Sequence, residues 1–329
     1  MTPPRTQRDL FVLDSPLLAD VRGERSLMAF PFFALSKGKW TRPLSYDNGT
    51  VSIEIVPTAK GAATIYDKEI VLYIASLMIA RLEAGEEVNQ EFHFTAHDLF
   101  CVTGNNPSAR SYGRLSQALE RLQGTQIKTN IEAGGEGEEG YFSWLSEAKL
   151  YYTRSKDAGG DTRRLKAIRV RLCDWLYRAI LHDGQILDYA SGYFQLGPVE
   201  RRLYEIARSS CSEGPCEMEL DELRRQLGYQ NSLPHFRHAL KAIVEADAIP
   251  DYRLVLIGAT TPPRGARTPG YSRVRIEPRL GEMEGEAAQP DQDGTDLLPT
   301  YEDICVGERA GTGEQDGESH TGPRESAAD

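Results

Sequence analysis

Apolar positions in the first half of the chain fall into a readable order of helices and strands. Ile70, Ile74, Leu77 and Met78 recur at the i, i+4, i+7, i+8 spacing of a core-facing helix. Thr64, with Asp67 three residues on, opens it as a capping box, so the pattern predicts a helix over Tyr66–Ala84. Upstream, Val51–Val56 reads as a strand within an N-terminal arm that runs to Pro57. Downstream, Glu91–Phe94 alternates briefly, and Thr95 with Asp98 caps a short helix containing Leu99 and Phe100. Gly104-Asn105-Asn106-Pro107 is a turn, and Ser108 starts a longer helix that ends near Leu122 and stops at Gly124. Strand-like runs follow at Gln126–Ile131, Phe142–Tyr152 and Ala167–Leu172.

The same order returns later. A helix containing Arg201, Arg202, Leu203, Tyr204, Ile206 and Ala207 precedes the short run Met218-Glu219-Leu220, a short helix Asp221–Leu227 and a stop at Gly228. Ser232 opens a helix running to about Ala248, and Tyr252–Ile257 and Tyr271–Ile276 read as strands joined by a Pro/Arg-rich turn. At an offset of 124 residues, Leu99 falls on Leu223, Ser108 on Ser232, Tyr112 on Phe236 and Leu119 on Ile243. Core positions and caps keep register, which is the signature of an internal repeat. Helix, strand, short helix, turn, longer helix and hairpin is the order of a winged helix-turn-helix. The predicted class is therefore α+β, with two tandem winged-helix domains: an arm at 1–57, domain 1 at 58–172, a linker at 173–197, domain 2 at 198–280 and a disordered acidic tail at 281–329.

Charge changes the picture because it is uneven. The 329 residues carry a net charge of −11, yet Gly281–Asp329 alone holds 14 acidic and 2 basic residues. Met1–Leu280 is left with 35 acidic and 36 basic residues, so the folded body is free to present basic faces to phosphates. The tail has no periodicity and many Gly, Glu and Asp, the composition of a disordered segment.

On the helix Ser108–Leu122, Tyr112, Leu115, Leu119 and Leu122 gather on one side. Arg110, Arg114, Gln117 and Arg121 gather on the other, within about 60° of one another. An outward face of forked donors suits a major groove, where Arg pairs with guanine and Gln with adenine. Ser108 and Ser111 at the helix N-terminus and Lys128 on the next strand extend the candidate DNA-binding set. In the second copy the candidates are Ser232, His235, Arg237, His238 and Lys241 on the helix, Arg264 and Arg267 in the turn, and Arg273 and Arg275 on the last strand. These last four would form a basic wing that follows the backbone or enters the minor groove. The first hairpin is expected to differ: its tip, Glu132–Gly140, is acidic and should point away from DNA, while Arg154, Lys156, Arg163, Arg164 and Lys166 lie nearer the next turn.

Other chemistry is not predicted. The five cysteines are an odd number and widely spaced, which points to free thiols in a reducing cytoplasm. Cys211 and Cys216 are not in CxxC spacing and no second pair follows, so no metal site is expected. There is no GxxxxGK[ST] phosphate loop, and His93 and His97 stand four apart rather than in the spacing of a metal-dependent nickase. Neither an enzyme nor a cofactor is predicted. The longest charge-free apolar run, Ile70–Ala80, is well short of the ~18–20 residues that cross a bilayer, and no signal peptide opens the sequence.

Several stretches resemble the plasmid replication initiator protein A family: Tyr112-Gly113-Arg114-Leu115, Ala118–Leu122, Thr125–Ile131, Asp174-Trp175-Leu176, Tyr193–Leu196 and above all Glu200–Arg208. The resemblance covers about Leu10 to Leu280; the Gly/Glu segment and the acidic tail lie outside it. It implies an iteron-type initiator in the bacterial cytoplasm that binds repeated origin sequences in double-stranded DNA. Such proteins help open an AT-rich segment and recruit host proteins such as the initiator ATPase and the replicative helicase. A homodimer off DNA, formed through Tyr66–Ala84, is a further expectation. Two other readings stay open on the sequence alone: an autoregulatory repressor on one palindromic operator, and a winged-helix protein-interaction module.

Overall fold

Side-chain caps open α-helices at Glu24, Thr95 and Ser108 in a computed structural model of the chain, which describes residues 12–137, 139–157, 160–211, 214–258 and 270–279. In chain order the elements are β1 (Arg22–Glu24), α1 (Arg25–Ala29), β2 (Leu44–Asp47), β3 (Ser52–Val56), α2 (Lys68–Glu83), β4 (Glu91–Phe94), α3 (Ala96–Thr103), α4 (Ala109–Gly124) and β5 (Gln126–Thr129). There follow β6 (Leu145–Asp157), β7 (Gly160–Leu172), α5 (Asp174–Arg178), β8 (Ile186–Asp188), α6 (Pro198–Ser210), β9 (Cys216–Glu219), α7 (Leu220–Leu227), α8 (Leu233–Ala246), β10 (Tyr252–Gly258) and β11 (Tyr271–Pro278). The acidic tail lies outside the described residues.

The strands form four small sheets: β1–β8, β2–β3–β5, β4–β7–β6 and β9–β11–β10, the last in the order β10–β11–β9. Every pairing between these strands is antiparallel. The register of the repeat is visible in the coordinates: α7 and α8 begin 124 residues after α3 and α4, and Gly104 and Gly228 hold the equivalent left-handed caps at φ 67° and 72°. The two three-stranded sheets beside these helix pairs also share an order. A short strand pairs with the far strand of a hairpin, and that strand with the near one.

The first hairpin differs from the sequence expectation. Gln126–Ile131 does not pair with Phe142–Tyr152 as a ladder; β5 joins β3 instead, with Ile55 opposite Ile127, and a single bridge links Ile127 to Phe142. The hairpin is β6–β7, with Asp157 opposite Gly160, and the Gly/Glu stretch is a connection leading into it rather than its tip. That connection is tied down: Gly134 N donates to Asp183, Arg178 Nε to the Ala133 carbonyl at 3.3 Å, and Trp175 Nε1 to the Ile131 carbonyl at 2.9 Å. The indole and guanidinium partners come from α5, which no local pattern links to that segment.

Two apolar cores result. One is built from Phe92, Phe94, Leu115, Leu119, Trp144, Ile168, Trp175 and their neighbours; the other from Leu203, Tyr204, Leu223, Phe236, Leu240, Val274 and Ile276. α2 serves both, since Leu72 belongs to the second core and most of its other residues to the first. Lys68, Ser76 and the whole apolar run Ile70–Ile79 are buried, so the helix is covered on all sides and offers no face for the dimer expected of it. The arm is equally internal: Leu27 lies in the first core and Met28 in the second.

A polar network joins the halves. Lys68 Nζ donates to Glu205 Oε1 at 2.6 Å and to the Leu27 carbonyl at 2.8 Å. Arg202 donates to Glu205 Oε2 at 2.8 Å and to the carbonyls of Met28 and Gln226, and the Tyr193 hydroxyl donates to Glu205 at 2.5 Å. Desolvation would raise the Glu205 carboxyl, but attraction to Lys68 and Arg202 outweighs it and holds the group below the usual carboxylate range. Lys68 is fully buried and shares the Glu205 carboxylate with Arg202; desolvation and that second cation lower its amine to about 8. Arg201, equally buried, donates to Glu69 at 2.8 Å and lies 4.6 Å from the Tyr66 ring. Cys211 and Cys216, expected as free thiols, form a disulfide between the end of α6 and β9. The turn after α6 brings their Cα atoms to 5.5 Å, within bridging range.

Candidate nucleic-acid interface

The polar face of α4 is fixed from below. Thr95 caps α3 by accepting from Asp98 N at 3.1 Å, Gly104 reverses the chain, and Ser108 Oγ accepts from Ser111 N at 3.1 Å to start α4. Leu115, Ala118, Leu119 and Leu122 are buried, which turns Arg110, Arg114 and Gln117 to solvent. Neither arginine has an ion-pair partner among the described residues. Tyr112, expected in the core, is 38% exposed and packs edge-on against Phe100, with ring centroids 5.3 Å apart.

Three first-copy candidates are engaged in structural work. Arg121 makes a two-pronged bond to Asp67, both contacts at 2.7 Å, and that hydrogen bond raises its pKa; it clamps the end of α4 to the start of α2. Asp67 is 54 residues away in sequence, so the pairing has no local signature. The Ser108 and Ser111 hydroxyls bond each other at 2.9 Å, and Ser111 also donates to the Asn106 carbonyl. Lys128 is exposed on β5, opposite Glu54 in the β2–β3–β5 sheet, with its amine 5.9 Å from the Tyr141 ring. It stands outside the hairpin to which the sequence reading attached it.

A cleft of about 740 Å³ opens between α4 and two segments of the arm. Arg110, Arg114, Gln117 and Arg121 line one wall; Lys37, Gly38, Lys39 and Lys60 line the other. The sequence reading gave the three lysines no role. The signal available was two lysines flanking a glycine in Lys37-Gly38-Lys39, and what hid it was the distance to α4 in the chain.

On β6–β7 charges sort along the strands. Near the root, Arg169 bonds Glu91 at 2.7 Å and Lys149 pairs with Glu147. Toward the turn, Arg154, Arg164 and Lys166 are exposed with no ion-pair partner among the described residues. The basic group therefore belongs to the hairpin itself. Lys156 and Arg163 side chains lie outside the described residues.

In the second copy α8 buries only Phe236 and Leu240. Arg237 and His238 are exposed, Ser232 Oγ lies 2.8 Å from His235 Nδ1, and Lys241 pairs with Glu245 at 3.5 Å. The expected basic strand is neutralised: Arg273 donates to Glu219 at 2.8 Å and Arg275 to Glu217 at 2.6 Å. β11 sets Arg273 opposite Glu219 and Arg275 opposite Glu217, so each arginine faces an acid across the ladder. Arg264 and Arg267 lie outside the described residues. Among the described residues no group of three or more His, Cys, Asp or Glu is placed to hold a metal ion, and no helix is long and apolar enough to cross a membrane.

Known proteins are similar to this chain in fold or in sequence. The solved structure of the selenomethionine derivative of domains 2 and 3 of RctB is similar in fold, with a TM-score of 0.54 at 11% identity over 78% of this chain and 98% of that one. A second structure of RctB domains 2–3 aligns over 77% of this chain and 96% of its own, with a TM-score of 0.49 at 13% identity. In sequence, the chain is 32% identical over 250 residues to a protein of Wigglesworthia glossinidia brevipalpis named "Putative replication protein", covering 75% of this chain and 89% of the relative. The family model for replication initiator protein A matches residues 22–254, a span that takes in α4, α8 and the joining network. The chain belongs to the replication initiator protein A family.

Proposed function

We propose that this chain initiates replication by binding repeated origin sequences as a tandem pair of winged helices, with α4 and α8 as the recognition helices. The observation that carries the reading is the solvent face of α4: Arg110 and Arg114, both unpaired among the described residues, share an exposed stripe with Gln117 on a helix whose opposite face is buried. Such a face offers bidentate donors to base edges, each good pair being worth about 1–3 kcal/mol of discrimination. Arg237 and His238 on α8 are the matching candidates in the second copy. Arg154, Arg164 and Lys166 on β6–β7 would supply sequence-independent phosphate contacts. Two helices held by one folded body would read successive groove faces of one repeat, about one helical turn apart. Protomers on neighbouring repeats would bend the DNA and favour opening where stacking is weakest, and host replication proteins would then be recruited there.

Nuclease footprinting on DNA flanking the gene for this chain tests the reading. Evenly spaced protection over several direct repeats is expected. A single protected palindrome would assign it instead to operator binding, and no protection would remove DNA from its function.

A further inference from the structure

Lys37 and Lys39 have no ion-pair partner among the described residues, and both line the cleft beside α4. Three acids line it, and each is already engaged. Asp67 is held by Arg121, Glu69 by Arg201 at 2.8 Å, and Glu120 by Lys60 at 3.3 Å. That leaves Lys37 and Lys39 on the arm and Arg110 and Arg114 on α4, four cations lining one concavity with no ion-pair partner among the described residues. Like charges gathered on concave walls repel one another and focus a positive potential into the space between.

The arm wall is held in place rather than trailing. Ala34 N donates to the Ala63 carbonyl at 3.0 Å and Ala62 N to the Trp40 carbonyl at 2.7 Å, closing the loop at both ends. Inside it, Ser36 Oγ bonds both the N–H and the carbonyl of Gly38. Gly61 underlies the loop at φ +100°, where a Cβ would meet Lys39 Cγ at 3.0 Å and the Trp40 backbone at 3.1 and 3.2 Å. The Lys60–Glu120 pair ties the two walls together across the opening.

We propose that this cleft grips the sugar–phosphate backbone of one strand of the duplex that α4 reads, with Lys37 and Lys39 as phosphate contacts opposite Arg110 and Arg114. The inference rests on α4 reading DNA. Lysine is a compact point charge on a flexible stem, suited to phosphate and poor at telling bases apart. The arm thus contributes affinity and register, while Arg110, Arg114 and Gln117 contribute sequence choice. A cleft of about 740 Å³ lined by several cations has room for more than a single phosphate, which suits a polyanionic strand.

The test uses the full chain and three probes at several salt concentrations: the DNA fragment flanking its gene, a random duplex of equal length, and a single strand of equal length. Lys37→Gln/Lys39→Gln should weaken both duplexes by the same factor, roughly sixtyfold at 0.1 M salt for two lost contacts, and lower the salt slope by about 2. The footprint boundaries should stay put, and Lys37→Arg/Lys39→Arg should keep the parent slope. Arg110→Ala/Arg114→Ala should instead weaken the specific fragment more than the random one. An unchanged slope in the lysine variant, with the arginine variant impaired, overturns the clamp and leaves the α4 reading standing. Both variants binding like the parent overturns the α4 reading itself. A lysine effect confined to the single strand overturns the duplex assignment.

Discussion

Replacing Glu205 by Gln isolates the network that joins the two cores. The carboxylate is wholly buried and accepts from Lys68 at 2.6 Å, Arg202 at 2.8 Å and Tyr193 at 2.5 Å. A glutamine could keep an acceptor toward Lys68 and Tyr193, but its amide nitrogen would face the Arg202 guanidinium, donor against donor. Two charge-assisted bonds are weakened, and two buried cations lose their counter-charge. Removing one partner of such a group costs about 3–5 kcal/mol. Glu205→Gln is expected to lower unfolding stability by about 4 kcal/mol, read by urea titration with far-UV circular dichroism and tryptophan fluorescence. Adding Lys68→Met removes one stranded cation and replaces it with an apolar side chain of similar length, so the double variant should regain at least about 2 kcal/mol. A loss below about 1 kcal/mol, or a double variant weaker than the single one, would refute the view that this carboxylate is the centre of the joint.

Two further outcomes follow from the same geometry. Because the folded pKa of Lys68 is lowered to about 8 from 10.5, the folded protein sheds this proton first and stability should rise between pH 8 and 10. The gain is up to about 3 kcal/mol for two pH units. Above pH 10 the buried Tyr189 and Tyr193, whose phenols desolvation pushes up, should reverse the trend; Lys68→Met should flatten the rise, and a flat parent profile in urea midpoints would contradict the assignment. Among the caps, Gly228→Ala should cost about 2 kcal/mol from the left-handed backbone alone, and more because its Cβ would meet the Pro31 ring carbon at 2.9 Å. Gly104→Ala meets the movable end of Gln195 and should cost less, which thermal melts of the two variants would compare.

Signals contained within a few residues were readable in the sequence. Thr95 and Ser108 cap their helices through their own side chains, Gly104 and Gly228 take left-handed conformations, and the 124-residue register recurs in the helix starts. Pairings across long separations were not readable. Arg121 meets Asp67, Arg273 and Arg275 meet Glu219 and Glu217, and β5 chooses β3 over the next strand. Each of these arginines looks like a free donor until the opposite element is placed, and the strand alternation of Glu217 and Glu219 acquires meaning only with the β9–β11 register. α2 shows a different failure. An i, i+4 stripe was real, but the run Ile70–Ala80 is apolar all round, the mark of a helix enclosed on every side. Lys37 and Lys39 were passed over because nothing near them in sequence announces α4.

The interleaving of Met28 and Leu72 with the second core, while their chain neighbours fill the first, bears on how such a protein can be recombined. A chimaera joined in the 173–197 segment would give α6 of one parent a foreign α1 and α2, pairing Glu205 with a Lys68 and backbone carbonyls it was not shaped against. A graft of the second half must therefore bring the Arg22–Phe33 stretch and the start of α2 with it. Exposed positions of α4 and α8, by contrast, can be exchanged one at a time between relatives without disturbing that joint.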